Sequence, residues 1–159
     1  MITFKKMYIM PQENIATQVL SYLRQEETNY QEAAKLGAAA LPVLRDIIKG
    51  NDEMLASKAT YLVSMISSKE TVDILRTAAR HSSAIVRVAA AASAGKLKAD
   101  EASSILDLTI DDNDVGVSKL TMKSIKSLSL GKKFEAKLKA ISGRTPDSTL
   151  KALAMDALK

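Results

Sequence analysis

The chain carries one histidine, His81, and no cysteine, which leaves little for chemistry that needs paired imidazoles, a thiolate or a Cys-ligated zinc. His81 stands beside Ser82 and Ser83 at a turn. With no second His and no Cys to complete a triad or a metal site, it reads as a histidine at a helix end without a chemical role. None of the many hydroxyls sits in a strand-turn-helix elbow, and no glycine-rich phosphate cradle occurs. Asp111-Asp112-Asn113-Asp114-Val115-Gly116 opens like a calcium loop, yet the position that needs a bidentate Glu, the twelfth from Asp111, is Met122. The stretch reads instead as a turn and a helix cap. These residues ask for no enzyme activity, no cofactor and no metal.

Charge is the other resource for chemistry. The net charge of +5 is mild, but between Lys119 and Lys139 seven lysines face one acid, Glu135. Lys119, Lys123 and Lys126 fall at i, i+4 and i+7, so they share one helix face, opposite Val117, Thr121, Ile125 and Leu128. Such a stripe suits acidic side chains or phosphates. A second pattern aligns Arg45 with Arg76 and Asp107, and Lys49 with Arg80 and Asp111, each 31 apart. It predicts surface pairs Arg76–Asp107 and Arg80–Asp111 that set the register of neighbouring helices, each contributing about 0–1 kcal/mol.

The elements that must position these residues are helices. Apolar residues make up 47% of the 159, but aromatics only 4% with no Trp, so the core is built of Ala, Leu, Ile, Val and Met. That composition suits closely packed helices better than a sandwich of strands. Met1–Pro11 has Lys5 and Lys6 but no apolar stretch of signal-peptide length, and no window reaches the roughly 18 apolar residues of a membrane span. The expected location is the cytoplasm.

The chain repeats itself. Helix starts are predicted at Asp52, Ser83, Asp114 and Asp147, separated by 31, 31 and 33 residues, each with an aliphatic residue three positions on. Before each lies a second stripe, led by Leu41, Val72, Ile105 and Phe134. Pro42, a capping box of Ser67 with Glu70, and Asp100 mark the starts of these first helices. Gly50, Gly95, Gly131 and Gly143 are expected to close helices in the left-handed conformation. Helices over roughly Gln12–Gln25 and Tyr30–Leu36 precede the rest. The expectation is one domain over 1–159: an N-terminal segment and helix over 1–29, then repeats over 30–159, with about five antiparallel pairs in all.

Leu36-Gly37 leading into Ala40-Leu41-Pro42-Val43-Leu44, then Asn51-Asp52 and another helix, resembles the HEAT repeat, as does Ser83-Ala84-Ile85-Val86-Arg87-Val88-Ala89-Ala90. The motif's arginine is matched by Arg87, with Lys151 as a substitute, while Ala56 and Ser118 depart from it. The resemblance implies an all-α, right-handed superhelix of the HEAT-like, armadillo type, with second helices lining a concave groove. It places Lys58, Tyr61, Arg87, Val88, Lys119, Met122, Lys123 and Lys126 in that groove, beside Ala92. This surface is mixed apolar and basic, so the expected function is a non-catalytic scaffold that binds a protein, acidic if the lysines are used. Two alternatives follow from the family. One is nucleic-acid binding, as in HEAT-like glycosylases of alkylated bases, which lean on aromatics scarce here. The other is an accessory protein like the phycobilin lyases. At the C-terminal end, Leu153 and Met155 are expected to face outward, where a capping unit would normally sit, which favours either continuation into further repeats of a longer chain or self-association through this end.

Overall fold

The computed structural model describes residues 14–159, all-helical apart from turns. Met1–Pro11 and the predicted helix start at Gln12 lie outside these residues. Asn14 opens α1, Ile15–Leu23, by accepting from Ala16 and Thr17 N–H, and Asn29 opens α2, Tyr30–Ala34, by accepting from Glu32 N–H. A 3-10 turn over Gly37–Ala40 then leads into α3, Leu41–Lys49, with Pro42 in its first turn. The remaining helices are α4 Glu53–Ser64, α5 Thr71–Ala79, α6 Ala84–Ala94, α7 Ala99–Thr109, α8 Val115–Ser127, α9 Glu135–Arg144 and α10 Ser148–Ala157.

Consecutive helices pair, and pairs stack into a HEAT-like solenoid. The second helices α4, α6, α8 and α10 lie side by side as the repeat spacing predicts, while α5 packs between α3 and α7. The side chains that hold this together recur at fixed distances from each cap. Ala59, Ala90, Thr121 and Ala154 follow Asp52, Ser83, Asp114 and Asp147 by the same interval, and all are fully buried. They are small, which lets second helices approach the first. Leu44, Ile48, Leu75, Ile105, Leu106 and Leu138 fill the space from the other side. Thr121 Oγ1 and Thr109 Oγ1 lie 2.7 Å apart and satisfy each other and their own helix carbonyls, so two buried hydroxyls join α7 to α8 without an orphaned group.

Several local expectations fail, each for a physical reason. Asp52, Asp114 and Asp147 cap their helices through their carboxylates, but Ser83 does not cap with its side chain. Instead its own N–H donates to His81 Nδ1 at 2.9 Å, so the imidazole organises that turn. The Ser67–Glu70 capping box does not form: α5 begins at Thr71, whose hydroxyl donates to the Ile66 carbonyl at 2.5 Å. Asp100 sits inside the first turn of α7 rather than before it. None of Gly50, Gly95, Gly131 and Gly143 is left-handed; the positive φ values belong to Gly37 and Ser129. Gly143 lies within α9, which ends at Arg144 ahead of Pro146. Gly131 is required for space, since a Cβ there would come within 2.1 Å of the Ala157 carbonyl oxygen.

The two cross-unit pairs also fail. Asp107 accepts from Lys137 at 2.6 Å and Asp111 pairs with Arg144, both on α9 or at its end. Asp107 and Asp111 are turned to α9, the first helix of the next pair, not to α5 behind them. Among the described residues Arg76 makes no ion pair, and its buried Nε has no partner.

Candidate functional site

The outward stripe of the second helices follows from the cap positions and the helical period. The residues at i, i+3 and i+7 from Met54 are Met54, Ser57 and Tyr61 on α4; those from Ile85 are Ile85, Val88 and Ala92 on α6. On α8 the stripe runs Gly116, Lys119, Lys123 and then Lys126. Met54 is 59% exposed and Ile85 48%, both unusually open for large apolar side chains, and they occupy the same place in successive repeats. Sequence reasoning did not single out this pair, although their 31-residue spacing was the available signal. Tyr61 and Val88 are half-buried beside them, as is Ala92.

Tyr30 was missed in the same way. It stands 31 residues before Tyr61, and the two rings meet edge-on with centroids 4.6 Å apart. Burial pushes the Tyr30 phenol above its ordinary value. Lys96 Nζ lies 2.6 Å from the Tyr61 hydroxyl and 4.4 Å from the ring centroid. The shorter contact defines the interaction as a hydrogen bond to the phenol oxygen. Lys58 reaches back to donate to the Leu23 and Gln25 carbonyls at 3.1 and 2.7 Å. It therefore ties α4 to the turn before α2, with its charge set against carbonyls rather than a carboxylate.

The α8 lysines differ from one another. Lys119 donates to Asp147 at 3.2 Å, and Lys126 reaches the Asp156 carbonyl oxygen at 3.1 Å and its carboxylate at 3.5 Å. Both link α8 to α10. Asp147 is held below the ordinary carboxylate range, first by the Leu150 N–H it caps and then by Lys119. Lys123, between them, is exposed and has no carboxylate partner among the described residues.

Two expected groove residues are not on the face. Met122 is fully buried, because its position on the helix is the one that the following pair covers. Arg87 is consumed by the fold: it grips Asp112 and also donates to the His81 and Ser82 carbonyls at 2.8 and 2.9 Å, leaving its side chain 14% exposed. At the C-terminal end, Leu153 packs against the core and is half-buried, so it is not the outward residue; Met155 is 52% exposed.

Charge is sorted by layer. The first helices α3, α5, α7 and α9 balance Arg45, Lys49, Arg76, Lys137, Lys139 and Arg144 against Asp46, Asp73, Asp100, Glu101, Asp107 and Glu135. The second helices α4, α6, α8 and α10 set Lys58, Arg87, Lys119, Lys123, Lys126 and Lys151 against Glu53 and Asp156 alone. Within the helices themselves the positive excess therefore belongs to the second-helix layer, which also exposes Met54 and Ile85; the caps Asp52, Asp114 and Asp147 offset part of it.

The acidic turn before α8 has its oxygens engaged by protein donors. Asp111 meets Arg144, Asp112 meets Arg87 and the Asp114 N–H, and Asp114 caps α8. Among the described residues no group of three or more His, Cys, Asp or Glu could hold a metal ion, and no helix is long and apolar enough to cross a membrane.

No family model matches the sequence, and no curated protein matches it. Among solved structures the fold is similar to a chain in the complex of CpcE and CpcF of phycocyanin lyase from Nostoc sp. PCC7120. The TM-score is 0.68 at 18% identity, over 91% of this chain and 98% of that one. The likeness, at that identity, is one of fold: a HEAT-like stack of helix pairs.

Proposed function

We propose that this chain is a protein-binding module that holds its partner on the face formed by α4, α6, α8 and α10. The observation that carries this reading is the pair Met54 and Ile85, exposed at the same repeat position beside Tyr61, Val88 and the α8 lysines. Large apolar side chains gathered on one rigid face are a common mark of a surface that a partner covers. The similar solved structure is itself a complex of two chains, which agrees with a life in partnership. The test is capture of protein from the source cell by the immobilised chain, compared with Ile85→Arg, Val88→Arg and, on the opposite layer, Asp46→Arg. Loss of one protein with the first two changes alone supports the reading. Equal retention by all variants overturns it, and retention of nucleic acid on the same face would replace protein with nucleic acid as the partner.

A second reading, an accessory role like that of a phycocyanin lyase chain, is favoured by the fold similarity across nearly the whole of both chains. It predicts that the chain binds a phycobilin or apo-phycocyanin, seen as a shift in the bilin absorbance or as co-elution. Absence of both removes it.

A further inference from the structure

The outward face is divided between two kinds of chemistry, and the division falls between neighbouring helices. On α4 and α6 the stripe offers Met54, Tyr61, Ile85 and Val88. The only cation of α6, Arg87, is spent on Asp112 and the turn carbonyls. On α8 the stripe offers lysines. Helix axes in such packing lie about 8–10 Å apart, so the change from apolar to basic occurs within one helix step.

We propose, resting on the reading of this face as a protein-binding surface, that its partner presents a segment made of an apolar block followed by an acidic block. The segment crosses the second helices so that apolar side chains cover Met54 and Ile85 while carboxylates meet Lys119, Lys123 and Lys126. Charge complementarity selects this order. Lys123 has no carboxylate of its own, and the Lys119 and Lys126 side chains remain 27% and 44% exposed despite their pairing with Asp147 and Asp156. Incoming carboxylates on α8 therefore find donors that still face water. The same carboxylates laid over Met54 and Ile85 would lose water and find the lysines of that half already engaged, Lys58 by the Leu23 and Gln25 carbonyls and Lys96 by the Tyr61 hydroxyl, a costly arrangement. An interleaved apolar and acidic segment would place half its carboxylates there.

The experiment selects a phage-displayed library of random peptides, roughly 15 residues long so as to outreach three helices, against the wild-type chain, Lys123→Glu and Ile85→Arg. Both variants are first shown to have the same helical circular dichroism as the wild type. Wild type is expected to enrich peptides with a contiguous apolar block and a contiguous acidic block. Lys123→Glu is expected to enrich peptides that have lost the acidic block, and Ile85→Arg to lose the apolar one. Affinity for a block peptide should fall at least about fivefold with Lys123→Glu and weaken with added salt. Enriched peptides that depend on Ile85 but carry interleaved or no acids would overturn the divided-face proposal while leaving the protein-binding reading intact. No enrichment, or enrichment indifferent to Ile85 and Lys123 alike, would overturn both.

Discussion

Arg87 and Asp112 form a two-point ion pair across the seam between successive helix pairs: Nε donates to Oδ2 at 2.8 Å and Nη2 to Oδ1 at 3.0 Å. The carboxylate side chain is 7% exposed, and Asp112 also accepts from the Asp114 N–H at 2.8 Å. One guanidinium thus joins the turn before α6 to the turn before α8. A planar fork makes this possible, and a lysine could not reproduce it.

Replacing Arg87 with Met is expected to destabilise the chain by about 3 kcal/mol, since it leaves Asp112 buried without its cation and two turn carbonyls without a donor. Urea denaturation followed by circular dichroism measures the loss. Arg87→Lys should recover only part of it. A change below about 0.5 kcal/mol for Arg87→Met would show that the pair holds nothing.

Gly131→Ala should be more harmful than its size suggests. A Cβ at Gly131 would overlap the Ala157 carbonyl oxygen, forcing the α8–α9 turn away from the end of α10. We expect a loss of about 1–3 kcal/mol, with faster amide exchange in Ser148–Ala157 than elsewhere. Gly143→Ala is the control, because it lies within α9 with nothing near its Cβ. That change should be neutral or stabilising by up to about 1 kcal/mol.

Asp147 gives the α8–α10 seam a pH dependence. Its folded-state pKa is lowered by the Leu150 N–H and by Lys119. Its contribution is therefore complete above the ordinary carboxylate range and is lost as the pH falls through that range to the depressed folded value. The midpoint of urea unfolding should drop with acidification in wild type, and more gently in Asp147→Asn. Parallel curves would show that the seam does not sense this carboxylate.

The C-terminal end exposes what the inner pairs cover. Thr60, Ala91 and Met122 follow their caps by the same interval as Met155 and are fully buried, whereas Met155 is 52% exposed. Covering its exposed half is worth roughly 1 kcal/mol. The chain is expected to associate with itself at high micromolar concentration, and Met155→Glu to abolish this. Sedimentation over a concentration range decides; a monomer unaffected by the substitution discards the idea.

How much of this was legible follows from what a repeat can encode. The intervals of 31, 31 and 33 residues placed Asp52, Ser83, Asp114 and Asp147 at helix starts and gave Val86, Ala90, Val117 and Ile125 their inward direction. A periodic pattern acts locally: it sets which face of each helix is apolar, and an apolar face must be covered whatever covers it. Helix content, pairing and the order of the stack were therefore determined by the sequence itself. The partners of the charges were decided only in the tertiary structure. Long side chains such as Arg87, Lys58 and Lys137 reach over several residues' distance, and whether they meet Asp112, a carbonyl or Asp107 depends on how far successive pairs are offset. Burial at the seams was decided there too. Met122 and Met155 are the same residue at the same place in the repeat, and the pair that packs on α8 makes Met122 a core residue, while Met155 stays half open among the described residues.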